Sequence, residues 1–77
     1  MKFLLEYGFN EEEIENFSAN IPPMLMDKLS SSYLLVSKNI LSIKEMGIQT
    51  YKSIFLKFYD MFLMDNSNFV NVFNKYD

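Results

Sequence analysis

The stretch Asn10-Glu11-Glu12-Glu13-Ile14-Glu15 sets four carboxylates within five positions. Such a cluster can in principle hold a metal ion or supply an acid–base pair. The same residues also read as the start of a helix. Asn10 is a good N-cap, and Glu13 lies three residues on, where it can close a capping box. Glu11, Glu12 and Glu13 then fill the first turn, where the positive end of the helix dipole favours acids. A solvated cap is the simpler reading. Asp27 and Asp65 recur at corresponding places in two similar segments and could be paired functional acids. Capping of the segment that follows each explains them more simply. The chain has no His and no Cys. Most nucleophile–base pairs and most transition-metal ligand sets are therefore excluded. The remaining residues spell out no reaction, so neither an enzyme nor a cofactor is expected.

Three further groups bear on binding. Tyr51, Ile54, Phe55, Phe58, Tyr59 and Phe62 recur at three- and four-residue steps. That stripe can stack nucleic-acid bases or, more simply, form one side of a core. Met24, Met26, Met61 and Met64 are flexible apolar side chains, suited to an adaptable groove or to filling gaps between packed units. Lys38, Lys44, Lys52 and Lys57 are candidate nucleic-acid contacts if they share a face, and a scattered solvated set if they do not. The formal net charge is −3 and unevenly spread: residues 1 to 27 carry one Lys against six acids, and residues 28 to 77 carry six Lys against four. There is no Arg, the residue that forks onto phosphate and guanine edges. Both facts disfavour nucleic acid as the partner.

Chain punctuation indicates the elements that must position these groups. Two Gly and two Pro are too few for many short strands. No Asn-Gly, Asp-Gly or clean alternation marks a hairpin. Residues 2–7 are expected to end a helix at Gly8, which can take the left-handed conformation. The helix capped by Asn10 runs to about residue 20, with Ile14, Phe17 and Ile21 on its apolar face. Pro22 and Pro23 stop it, and Pro23 can open a short turn over Met24–Leu29. Ser30, Ser31 and Ser32 form a polar hinge with several candidate caps. A second long helix over about 32–46 carries Leu34, Val36, Ile40, Leu41 and Ile43, and ends at Gly47. Gln49 or Thr50 caps the aromatic helix that follows. Asn66-Ser67-Asn68 is another break, and a last helix carries Phe69, Val70, Val72, Phe73 and Tyr76. The expected fold is all-α, a small bundle of about five to six helices in one domain spanning residues 1–77.

The chain also repeats itself. Glu6-Tyr7-Gly8-Phe9 matches Glu45-Met46-Gly47-Ile48, and Met24-Leu25-Met26-Asp27 matches Phe62-Leu63-Met64-Asp65. The offset lies in the range of helical repeat modules. Two tandem helix–Gly–helix units are expected, the first over about 2–31 and the second over about 32–77, packed in an irregular, solenoid-like array. A unit of this kind cannot bury its apolar face alone, so neighbours must stack.

This grammar resembles the repeat of the mitochondrial transcription termination factor family, in which an Asn-Ile pair, a Leu-type residue, Gly-Ile or Gly-Phe, a capped amphipathic helix, a proline and an apolar pair follow in order. The second copy offers Asn39-Ile40, Ile43, Gly47-Ile48 and Phe62-Leu63. The first offers Leu4-Leu5, Gly8-Phe9, Pro22 or Pro23, and Leu25. The second copy departs from the pattern, with Tyr59-Asp60-Met61 at the proline position. The resemblance implies a stacked helical fold more than it implies the family's nucleic-acid binding.

Thirteen aromatics and six Met exceed what one small core needs, and leftover apolar surface usually marks an interface. The expected function is a small cytoplasmic helical interaction or regulatory module, binding a protein partner or itself through an apolar face. Met61, Met64, Phe69, Val72, Phe73 and Tyr76 are the candidate contacts, because the second unit ends there without a covering neighbour. The alternative is a nucleic-acid-binding module of the termination-factor type, using Lys38, Lys44, Lys52 and Lys57. No apolar run approaches a membrane span, and the N-terminal apolar run, cut by Glu6, is too short for a signal-peptide core.

Overall fold

The computed structural model describes residues 1–75. A 3-10 helix, η1 (Lys2–Tyr7), leads into α1 (Glu11–Asn20), α2 (Pro23–Ser31) and α3 (Tyr33–Glu45). Then come α4 (Tyr51–Lys57), a second 3-10 helix η2 (Tyr59–Leu63) and α5 (Asn66–Asn74). No strand occurs among the described residues. The protein is an all-α bundle.

Local chemistry accounts for most boundaries. The Asn10 side chain accepts from the Glu13 amide at 2.7 Å, and the Glu13 carboxylate accepts from the Asn10 amide at 3.0 Å. The capping box is therefore complete, and it satisfies two amide donors that the first turn leaves without partners. Pro22 and Pro23 open α2 at a point where the missing amide costs nothing. Gly8 has φ 90° and Gly47 has φ 84°, both in the left-handed region. Each is followed by an amide that reaches back five residues, Phe9 to the Leu4 carbonyl at 3.4 Å and Ile48 to the Ile43 carbonyl at 3.2 Å. Two helix ends thus turn the same way, by a Schellman-type closure.

α3 lies at the centre and packs against η1, α2, α4, η2 and α5. Its inner face is Val36, Asn39, Ile40 and Ile43, all fully buried. The rest of the core is a run of rings. Phe9 and Phe17 pack on Phe55 at 5.5 and 5.2 Å, Phe55 on Phe62 at 5.0 Å, Phe62 on Phe69 at 4.8 Å, and Phe69 on Phe73 at 4.7 Å. Most of these pairs are tilted or edge-on, the arrangement aromatic quadrupoles prefer. The radius of gyration is 11.8 Å, close to the roughly 11.5 Å expected of a folded globule of this length.

Several expectations need correction. The N-terminal helix ends at Gly8 as expected and is of the 3-10 type, whereas the piece after Pro22 is a full nine-residue helix rather than a turn. Ser32 supplies no side-chain cap. Instead its amide bonds to the Lys28 carbonyl and its carbonyl accepts from Val36, so α2 and α3 meet at a one-residue joint. The aromatic helix is not continuous: α4 ends at Phe58, whose φ and ψ of −127° and 42° break the stripe. Asn66, Ser67 and Asn68 form the first turn of α5 rather than a break before it. Leu34 and Leu41 face solvent, 71% and 42% exposed, while polar Asn39 occupies the core.

Asn39 explains two of these departures. Its Nδ2 donates to the carbonyls of Phe62 and Met64, both at 2.9 Å. Its Oδ1 accepts from Asn66 Nδ2 at 2.9 Å, and Asn66 also donates to Ser42 Oγ at 3.0 Å. The carbonyls freed where η2 stops are thereby paired inside the core, so the chain can turn there into α5. Among the described residues no buried side-chain polar atom lacks a partner.

Candidate functional site

The clearest unfilled apolar surface is a groove between α4–η2 and α5. A central hollow of 210 Å³ is lined by Ile54, Phe58, Met61, Val72 and Phe73. Ile54 and Phe73 form its floor, 9% and 6% exposed, while Phe58 and Val72 stand at 51% and 44%. α4 and α5 each bury one side against α3, and the groove is what remains between their outer sides. Phe58 is the C-cap of α4 and stands four residues after Ile54, on the same side of the helix as Ile54 and Lys57. Two further hollows adjoin the central one. One shares Ile54 and Phe58 and adds Thr50, Ser53 and Lys57. The other shares Val72 and adds Met64, Asn68, Asn71 and Lys75.

The candidate partner contacts separate accordingly. Met61, Val72 and Phe73 meet in the central hollow, and Met64 lines the hollow beside it. Phe69 is fully buried among Phe62 and Phe73, so it holds the fold and offers no surface. Phe73 contributes a floor rather than an exposed anchor. Tyr76 lies outside the described residues. Ile54 and Phe58 belong to the groove but were assigned to the core by their spacing, and no local signal distinguishes them from the residues of the stripe that are buried.

The four lysines do not form one face. Lys52 pairs with Glu13 at 3.1 Å, and its Nζ lies 5.6 Å from the centre of the Phe9 ring. Lys44 lies over the Tyr51 ring at 5.8 Å. At 3.6 residues per turn, Lys38 and Lys44 project about 120° apart on α3, and Lys52 and Lys57 about 140° apart on α4.

The acids behave as structural groups. Asn10's amide, first, and the Lys52 ammonium hold the Glu13 carboxyl below the ordinary glutamate value. Asp65 stands at the N-cap position of α5, but its side chain caps no backbone amide there; it accepts from the Asn68 side-chain Nδ2. Asp27 lies within α2 and caps nothing, contrary to expectation. Among the described residues no three His, Cys, Asp or Glu side chains gather closely enough to hold a metal. No helix among them is long and apolar enough to cross a membrane.

A second concavity, between α1 and the far side of α4, is lined by Asn16, Phe17, Asn20, Leu56 and Tyr59 among others. It is more polar at its rim, and Phe17 and Tyr59 are already paired across it at 5.2 Å. No family model matches this chain, and no curated protein or solved structure matches it either.

Proposed function

We propose that this protein is a small helical binding module that takes an apolar segment of a protein partner into the groove between α4–η2 and α5. The observation that carries the reading is the exposure of Phe58 and Val72 on either side of a hollow whose floor is apolar. Exposed rings and branched side chains around a concave apolar floor are the usual anatomy of helix-in-groove recognition. Met61 suits it, because an unbranched thioether can adjust to different partner side chains. Self-association through the same groove is the homotypic form of this function.

The test uses an uncharged helical peptide with Leu at i, i+3, i+4 and i+7, followed by amide chemical shifts of the protein. Shifts are expected at Phe58, Met61 and Val72, and they should vanish in Val72→Asp. Val72 is exposed, so that variant should unfold at the wild-type urea midpoint. If the peptide perturbs none of these amides and concentrated protein sediments as a monomer, the groove is not a binding site.

A further inference from the structure

We infer that the groove selects acidic partners: its occupant is an amphipathic helix carrying Asp or Glu beside its apolar stripe. This rests on the binding role proposed above and adds the sign of the partner's charge.

Of the residues lining the three adjoining hollows, the charged ones are Lys57 and Lys75, one in each outer hollow, with no acid between them. Both are exposed. The ion pair found among the described residues is Lys52–Glu13, so neither lysine is neutralised in that way. Each also stands at a helix C-terminus, where the dipole favours a cation. What sets them apart is their placement on the two sides of an apolar floor, Lys57 on the α4 side and Lys75 on the α5 side. Asn68 and Asn71, Thr50 and Ser53 line the same outer hollows with amides and hydroxyls.

None of the described acids lines the three hollows. Glu13 of α1 approaches α4 from the side of Lys52, Phe55, Leu56 and Tyr59. By helical geometry that side is nearly opposite Ile54, Phe58 and Lys57. Asp60 and Asp65 line none of the three hollows, and the Asp65 carboxylate, beside the outer hollow of Lys75, is held by the Asn68 side-chain amide. An incoming acidic helix therefore meets a lysine on each side of the groove, where no described acid lines the surface. A basic helix would meet two like charges, which is how a rim selects by repulsion as well as attraction.

The experiment compares two versions of one helical peptide, with Leu at i, i+3, i+4 and i+7 and either Glu or Lys on the flanks, by fluorescence anisotropy at low salt. The Glu peptide should bind about tenfold more tightly than the Lys peptide, the scale of two exposed charge contacts of each sign. Its affinity should fall with added salt. Lys57→Glu with Lys75→Glu should reverse the preference, and Val72→Asp should weaken both peptides. Equal binding of the two peptides, lost in Val72→Asp, would overturn the charge selection and leave the groove standing. Binding of neither would remove both. Concentration-dependent dimerisation that Val72→Asp abolishes would make a second copy the occupant and also overturn the proposal.

Discussion

At the scale of single residues, Asn39 does the work that its position in an apolar helix face conceals. Replacing it by Leu keeps the branched shape but removes the Nδ2 donor from the carbonyls of Phe62 and Met64. Each buried group left without a partner costs about 1–3 kcal/mol. The loss of about 2–6 kcal/mol over two carbonyls compares with roughly 4–12 kcal/mol for the whole stability of a chain this short. Asn39→Leu should therefore lower the urea midpoint by a large fraction, read by circular dichroism. A near-neutral result would show that the amide is dispensable. The repeat alignment gave Asn39 a place next to Ile40, but nothing in the spacing revealed what it holds. Its partners lie 23 to 27 residues away, and two of them are main-chain carbonyls, which carry no sequence signal.

At the scale of elements, the two glycine turns are alike in backbone and unlike in surroundings. A Cβ at Gly47 would meet nothing within 4 Å, whereas one at Gly8 would lie 2.9 Å from the Tyr51 hydroxyl. That hydroxyl donates to the Tyr7 carbonyl at 2.8 Å, tying the end of η1 to the start of α4. Gly47→Ala should cost about 1–2 kcal/mol from the left-handed backbone alone. Gly8→Ala should cost about 1 kcal/mol more, because Tyr51 must move and give up its hydrogen bond. In a Tyr51→Phe background the extra cost of Gly8→Ala should disappear, and a double-mutant cycle of denaturation midpoints measures the coupling. Equal costs for the two glycines in the wild-type background would contradict the close approach at Gly8. The glycine turns and the capping box were legible because each depends on residues within five positions of one another. The turn from η2 into α5 was not, because the Phe62 and Met64 carbonyls there are paired by Asn39 from another helix.

At the scale of the molecule, charge and core are organised differently. The rings run from Phe9 and Phe17 through Phe55, Phe62 and Phe69 to Phe73, joining α1 to α5 as one cooperative core. Charge is segregated, with the acids concentrated before residue 28. The Glu13–Lys52 pair links the two regions. Glu13 titrates below its ordinary value of 4.5, chiefly through the Asn10 amide and then through Lys52. A depressed carboxyl contributes stability that is present above its unfolded pKa and lost as pH falls through the folded one. Urea midpoints measured from about pH 6 down to about pH 3 should therefore fall less steeply in Glu13→Gln than in the wild type. An unchanged slope would mean that Glu13 makes no net contribution.

The amino-acid sequence by itself determined the helical class, the start of α1, the proline opening of α2 and the two left-handed glycine turns. These follow from backbone preferences and hydrogen bonds between near neighbours, which the order of residues states directly. Only the tertiary structure decided which apolar side chains were left outside. Phe58 and Phe62 have the same type and the same helical spacing, yet one is half exposed and the other fully buried. The difference arises where α3 meets η2 and α5, because burial depends on which surfaces meet and not on periodicity along one helix.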